Sequence, residues 1–166
     1  TSGSVKVGGK EVTGPYPDYG FVFQQPSLMP WRSVLQNVLF PMEILGRNDA
    51  QAKARAEQLL EMTGLHAFAN ARPHELSGGM QQRVSLCRAL IHKPKLLLMD
   101  EPFGALDEFT RLDMNDLLLK IKAETGASVL FVTHSISEAV YLSDKVVVFT
   151  RRPARVSAEI ERSEEH

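Results

Sequence analysis

The sequence has little of three features that define other classes of protein. It contains one cysteine, Cys87, in 166 residues, so no internal disulfide can form and no oxidising compartment is indicated. Its 19 Lys and Arg residues are balanced by 20 Asp and Glu residues, which leaves no basic surplus for binding nucleic acid. The longest apolar runs are four residues, whereas a membrane-spanning helix needs about 20, so we expect no integral membrane segment. The composition, 43% hydrophobic, is typical of one globular domain.

Three short apolar runs in the chain predict buried strands. The runs are Leu96–Met99, Val129–Val132 and Val146–Phe149. They are apolar throughout, which is typical of a parallel sheet covered on both faces. Residues 108–124 repeat apolar side chains at helical spacing, and Ser135 with Glu138 has the pattern of a capping box that opens another helix. This alternation of strands and helices indicates an α/β fold with right-handed crossovers.

The first half of the chain has a different pattern. Ser4–Val7 and Phe21–Phe23 predict two strands, whereas residues 33–92 contain no convincing strand. The sequence therefore predicts a strand-rich beginning, a helical insert and an α/β second half.

Three helices are expected in the insert. Val34–Leu45 is apolar, but Pro41 should kink or break a helix there. Asn48 or Asp49 can cap the second helix, and Ser77 can cap the third.

Two adjacent carboxylates follow the first of the apolar runs. Asp100 and Glu101 come directly after this strand, and the carboxyl ends of strands are where open α/β sheets bind ligands. One carboxylate could hold a hydrated Mg²⁺ while the other faces a water molecule that must be oriented or deprotonated. Taken alone, the pair is explained equally well by a strand that simply meets solvent.

Polar groups occupy comparable positions elsewhere. Ser77-Gly78-Gly79 opens a helix with free backbone N–H groups suited to phosphate, although a lone motif of this kind favours an ordinary helix cap. His134 follows the second apolar run and Gln24 follows an earlier strand, and each alone carries little information. Four such groups at strand ends and helix starts favour a nucleotide site over coincidence.

Five motifs, in one order along nearly the whole chain, resemble those of the ATP-binding subunits of ABC transporters. The motifs are the glutamine loop at Phe23-Gln24, the ABC signature at Leu76-Ser77-Gly78-Gly79-Met80-Gln81-Gln82-Arg83, the Walker B strand from Leu96 to Glu101, the D-loop at Ala105-Leu106-Asp107 and the switch histidine at Thr133-His134. The resemblance implies an α/β, P-loop NTPase-like (RecA-like) parallel sheet core with an α-helical subdomain inserted in it. Residues 1–25 and 93–166 would form part of the nucleotide-binding core, and residues 26–92 the helical subdomain.

The same resemblance implies a role for each motif residue. Glu101 would be the catalytic carboxylate that activates or orients water, and His134 would contact the γ-phosphate of ATP. Asp100 and Gln24 would be associated with Mg²⁺. The residues implied to bind the nucleotide and its metal are Gln24, Ser77, Gly78, Gly79, Asp100 and Asp107.

The resemblance also implies partners and a location. ATP would close two ATP-binding subunits head to tail, and residues 26–47 would dock on the transmembrane permease subunits. The protein would then be cytoplasmic and peripheral on the inner face of a bacterial cell membrane, with no nucleic acid partner. For Trp31, within the docking stretch, a packed aromatic anchor is an equally good interpretation.

Three segments are similar to those of the nitrate, sulfonate and taurine importer group. The segments are Pro26-Ser27-Leu28-Met29-Pro30-Trp31, Thr133-His134-Ser135-Ile136 and Arg151-Arg152-Pro153-Ala154-Arg155. This similarity implies import of a small oxyanion, a sulfonate or a related organic solute. No residue of the chain identifies the solute, because binding proteins and membrane subunits choose it.

One element of this family is missing from the sequence. The phosphate-binding loop has the pattern G-x-x-x-x-G-K-[ST], and the nearest match, Gly9-Lys10, fails because Ser4 and Glu11 occupy the other required positions. We therefore expect an N-terminally truncated core that exposes apolar surface, and a chain that alone binds ATP weakly or not at all.

Two alternatives were weighed against a transport ATPase. A non-transport ABC ATPase that handles DNA or ribosomes is disfavoured, because only residues 25–76 separate Gln24 from Ser77 and the charge is balanced. A non-catalytic, truncated interaction module stays open, although intact Asp100, Glu101 and His134 favour a working gene.

Overall fold

The computed structural model describes residues 3–14 and 19–161, which contain seven strands and five α-helices. The strands are β1 (Lys6–Val7), β2 (Lys10–Glu11), β3 (Tyr19–Val22), β4 (Leu96–Asp100), β5 (Ser128–Val132), β6 (Lys145–Phe149) and β7 (Val156–Glu161). The helices are α1 (Val34–Ile44), α2 (Ala50–Met62), α3 (Gly78–Leu90), α4 (Glu108–Thr125) and α5 (Ile136–Leu142), with short 3-10 helices at His66–Phe68 and Pro73–Glu75.

The central sheet has three parallel strands in the order β3-β4-β5. Helices α1 to α3 lie between β3 and β4 in the chain, and α4 connects β4 to β5. Helical crossovers between neighbouring parallel strands are the α/β arrangement that the sequence predicts. All three strands therefore end at the same edge of the sheet, where the loops that follow them meet.

The two faces of this sheet have different surroundings. Val22, Met99 and Phe131 lie side by side in register on one face, where they are buried or packed against the core. On the opposite face Phe21 is 43% exposed and Leu130 is 57% exposed. The prediction that the sheet is covered on both faces is therefore wrong for the described residues, whereas the prediction of exposed apolar surface is confirmed.

The last apolar run does not join the parallel sheet as predicted. Strand β6 pairs antiparallel with β7, the next strand along the chain, and a turn closed by the Thr150 N–H bond to the Arg155 carbonyl joins them. A cavity of about 390 Å³ separates β6 from β5 and is lined by Phe131 and Val147 among others. Among the described pairings, the backbone hydrogen bonds of β6 are therefore made to β7 in a local hairpin and not to a parallel strand.

The strands near the start also differ from the prediction. Strand β1 begins at Lys6 and forms a short antiparallel hairpin with β2, with no hydrogen bond to the central sheet among the described pairings. Strand β3 ends at Val22, so Phe23 already belongs to the loop that carries Gln24.

Helix α1 continues through Pro41, so of the two predicted effects of this proline, a kink or a break, the break does not occur. Ser33 caps its N-terminus in a full capping box with Gln36. Packing against α2 and α3 supports the helix despite the N–H that proline lacks. Asn37, which is fully buried, bonds through its side chain to the backbone of Met29, Arg32 and Ser33, and so holds the segment before the helix.

The caps of α2 and α3 agree with the sequence. Asp49 accepts the Ala52 N–H at 2.8 Å, and Ser77 accepts the Met80 N–H at 3.3 Å.

Helix α3 lies at the centre of the buried core. It contacts α1, α2, α4 and β3, and its stripe of Val84, Cys87 and Ile91 is buried. Burial raises the pKa of the Cys87 thiol to about 12, so this group stays neutral. Among the residues that the structure describes, no helix combines the length and the apolar character that crossing a lipid bilayer requires.

The packing of α3 on β3 predicts the effect of adding one methyl group. A Cβ on Gly20 would lie 2.5 Å from the Ala89 carbonyl oxygen and 2.8 Å from a Leu97 methyl group. Because backbone atoms cannot rotate away, Gly20→Ala should lower the free energy of unfolding of the full-length protein by about 1–3 kcal/mol in denaturant titration. Gly14→Ala, where a Cβ would have no atom of the described residues within 4 Å, is the control. Equal destabilisation by the two variants would contradict this account of the packing.

Candidate functional site

The strand end that carries the two carboxylates has an unusual backbone. Asp100 is the last residue of β4, and Glu101 follows it in the left-handed region with φ 42°. Such a conformation costs a non-glycine residue about 1–3 kcal/mol and is typical of functional sites. Two backbone hydrogen bonds hold it, from the Glu101 N–H to the Val132 carbonyl and from the Gly104 N–H to the Glu101 carbonyl. The Glu101 side chain is thereby fixed at the edge of the sheet.

His134 lies beside this carboxylate. Its Nδ1 is 3.2 Å from Oε1 of Glu101, and its side chain is 75% exposed while that of Glu101 is 34% exposed. The pair is accessible to solvent and to a ligand. A carboxylate at this distance orients the imidazole ring.

Gln24 approaches the same carboxylate from the end of β3. The point where a Cβ on Gly104 would stand is 3.5 Å from Nε2 of Gln24 and 3.7 Å from Oε2 of Glu101. Because Gly104 has no side chain, both groups can lie close to its backbone. The structure therefore brings together Gln24, Glu101 and His134 from the ends of β3, β4 and β5.

Asp100 has an exposed position next to this cluster, directly opposite Val132 in register. In the described part of the chain no group of three or more His, Cys, Asp or Glu side chains is placed to hold a metal ion. The Asp100 carboxylate and the Gln24 amide oxygen are nevertheless the type of donor that Mg²⁺ prefers, and Mg²⁺ usually takes only one or two protein ligands. By the chemistry of their oxygen donors, each of these two residues suits a magnesium ion that keeps several water or phosphate ligands.

The remaining predicted site residues form a second group. Ser77 and Gly78 are exposed at the start of α3, and the buried Gly79 lies close to Thr110 of α4. The start of α3 therefore packs beside the start of α4 and presents its first N–H groups to solvent. Free N–H groups at a helix N-terminus are suited to an anion.

Asp107 belongs to this second group. Its carboxylate accepts the Thr110 N–H at 3.0 Å and the Thr110 hydroxyl at 2.6 Å, and so caps α4. These hydrogen bonds hold the pKa of Asp107 below its usual value. Capping α4 is therefore the contact that the described residues give this side chain.

The buried carboxylate of Glu138 has a role that the sequence pattern did not predict. Ser135 caps α5 through the Glu138 N–H, as predicted, but the Glu138 carboxylate does not complete the capping box. It accepts the Thr133 hydroxyl at 2.5 Å instead, and Thr133 in turn accepts the Ser135 N–H. The sequence pattern marked Glu138 only as a capping residue, and no local pattern marked Gly104.

Comparisons with known proteins show the family and the fold of the chain. The family model described as ABC transporter matches residues 1–104. An uncharacterized ABC transporter ATP-binding protein of Methanocaldococcus jannaschii is 52% identical over 156 residues, which are 94% of this chain and 58% of that protein. A taurine import ATP-binding protein of Rhizobium johnstonii is 48% identical over 95% of this chain and 60% of that protein. The chain thus spans about 60% of the length of these relatives.

The fold has a solved counterpart. The dimeric structure of a post-hydrolysis state of an ATP-binding cassette, bound to ADP and Pi, superposes with a TM-score of 0.79 at 33% identity. The match covers 97% of this chain and 74% of that one. The α/β, P-loop NTPase-like fold predicted from the motifs is thereby confirmed. On the family model and these relatives, the chain belongs to the ABC transporter family of ATP-binding proteins.

Proposed function

We propose that the protein containing this chain is the ATP-hydrolysing subunit of an ABC importer for a sulfonate, a small oxyanion or a related organic solute. The observation that carries the proposal is the cluster of Gln24, Glu101 and His134 at one edge of the sheet. The relative of Rhizobium johnstonii, named for taurine import, supports the solute class.

In this proposal Glu101 acts on water and His134 acts on the terminal phosphate of ATP. The strained backbone at Glu101 aims its carboxylate at the solvent-facing edge, and His134, 3.2 Å away, can donate a hydrogen bond to a phosphate oxygen. Such a site works by positioning and charge stabilisation, with little covalent chemistry by the protein. Asp100 and Gln24 would hold Mg²⁺, which neutralises phosphate charge when bound.

We further propose that the start of α3 serves the nucleotide of a second subunit. Ser77 and Gly78 are exposed, so their N–H groups are open to an anion on another molecule. The solved cassette with the same fold is described as a dimer, which supports a head-to-tail pair here. Gly79 and Asp107 would then lie beside that nucleotide. Both are near Thr110 in this structure: Gly79 packs next to it, and Asp107 accepts a hydrogen bond from its N–H.

Residues 26–47 are the proposed docking surface for the permease subunits. Trp31 is 70% exposed and Ile44 is 69% exposed, so the interpretation of Trp31 as a packed anchor does not hold in this structure. Exposed aromatic and aliphatic side chains on one segment are typical of a protein interface. Docking there would place the protein on the inner face of the membrane.

The catalytic assignment predicts the effect of removing one charge. Glu101→Gln in the full-length protein should lower kcat for ATP hydrolysis at least about 100-fold while ATP binding persists, because the amide keeps the shape but cannot accept the proton of water. Steady-state hydrolysis and equilibrium binding of ATP measure the two effects. Undiminished turnover by the variant would exclude Glu101 as the base, and a wild-type protein without turnover would favour the non-catalytic alternative.

The docking assignment predicts a loss of association without a loss of hydrolysis. Trp31→Ser should reduce the amount of membrane subunits that copurify with the tagged full-length protein by about tenfold, because interface aromatics often contribute 2 kcal/mol or more. ATPase activity of the isolated subunit should stay unchanged. Phe149→Ser, at an aromatic that is 63% exposed outside the segment, is the matched control. Equal copurification of all three proteins would exclude this docking surface.

A further inference from the structure

Helix α3 holds the loop around Gln24 through two side chains. Gln82, which is 1% exposed, donates from Nε2 to the Phe23 carbonyl at 2.9 Å. Arg88 donates from one guanidinium nitrogen to the Pro26 carbonyl at 2.9 Å and from another to the Ser27 carbonyl at 3.0 Å. These three carbonyls lie on both sides of Gln24 in the chain, one immediately before it and two shortly after it.

The chemistry of the two side chains suits them to fix backbone. A buried glutamine that loses its acceptor leaves a polar group unsatisfied in the core, so the bond from Gln82 resists displacement. The guanidinium of Arg88 is a planar fork that holds neighbouring acceptors in a fixed geometry. Its pKa is lowered by burial, yet arginine remains charged, which strengthens its bonds to the carbonyls. Ser27 has φ 46°, a left-handed conformation that also needs support.

The N-terminal end of the same helix carries the residues that are proposed to bind the nucleotide of a second subunit. Helix α3 spans 13 residues, begins directly after Ser77, and packs against β3 so closely that Gly20 meets the Ala89 carbonyl. The strand that leads into the loop of Gln24 is thus packed on the helix whose side chains bond to the Phe23, Pro26 and Ser27 carbonyls. Both contacts hold the loop in one position.

We propose that Gln82 and Arg88 are positioning residues that fix the loop of Gln24, and so hold Gln24 near Glu101. The proposal rests on the proposed function, since it assigns Gln24 a task in ATP hydrolysis. Neither side chain touches the reacting atoms. Each acts through the backbone of the loop that carries Gln24.

The test compares Gln82→Met and Arg88→Lys with a matched control in the full-length protein. His92 follows α3, and its Nε2 lies 2.8 Å from the Tyr19 carbonyl, at the opposite end of β3 from Gln24. His92→Met therefore removes a side-chain contact with the backbone of the same strand without touching the glutamine loop. Steady-state hydrolysis of Mg-ATP gives kcat and KM, and thermal unfolding gives Tm for each variant.

We expect Gln82→Met to lower kcat by about tenfold or more, because small displacements of a positioned group have effects of this size or larger. KM should change by a smaller factor than kcat, since Ser77, Gly78 and Gly79 are not altered. Arg88→Lys, which keeps the charge but lacks the fork, should lower kcat by a smaller factor. His92→Met should lower Tm about as much as Gln82→Met does and leave kcat unchanged.

Three results separate this proposal from its premise. If Gln82→Met and Arg88→Lys keep the wild-type kcat while the wild-type protein is active, the positioning role is excluded and the proposed function stands. If kcat falls equally in His92→Met, the effect is general destabilisation and the positioning role is again excluded. If Gln82→Met does not fold, the comparison of Arg88→Lys with His92→Met is used instead: a lower kcat in Arg88→Lys alone supports the positioning role, and an equal kcat in the two variants excludes it.

Discussion

The register of three parallel strands is the constraint on which the candidate site depends. Strand β4 lies between β3 and β5, and its end is in register with theirs, so the loops that carry Gln24, Glu101 and His134 leave the sheet together. A shift of one residue between β3 and β4 would move Gln24 by about 3.3 Å along the sheet. It would also place the Phe21 side chain where Val22 now packs, because neighbouring residues of a strand face opposite sides of the sheet. The burial of Val22 therefore opposes any register that would separate the polar side chains.

Helix α3 is the second organising element, and it joins the sheet to the other helices. It contacts α1 and α2 on the side of the insert, and β3 and α4 on the side of the sheet. Side-chain hydrogen bonds to backbone carbonyls also hold the helix in one orientation. Gln81 bonds to the backbone just before the helix, and Gln82 and Arg88 bond to the loop after β3. The apolar stripe sets where the helix lies, and these polar contacts set how it is oriented.

Local signals made the helices and the strand ends predictable, whereas long-range contacts did not leave a readable pattern. Ser77 and Asp49 cap their helices because an N-cap depends on residues within one turn. The continuation of α1 through Pro41 depends on packing against other helices, and the hairpin partner of β6 depends on a competition between pairings. The role of Glu138 was also not predicted, because its carboxylate accepts the Thr133 hydroxyl and not the backbone N–H that a capping box requires. The motifs predicted the candidate site residues, but their spacing could not place Gly104 near both Gln24 and Glu101.

The left-handed backbone at Glu101 has a consequence for the choice of residue at this position. Substitutions selected for stability alone would favour glycine or asparagine at such a position, because these residues adopt the conformation at lower cost. A glutamate there makes the folded state less stable than a glycine would, so its presence is not favoured by stability. Strained residues of this kind cluster at functional sites, and the backbone angle therefore makes Glu101 a functional candidate independently of any sequence motif.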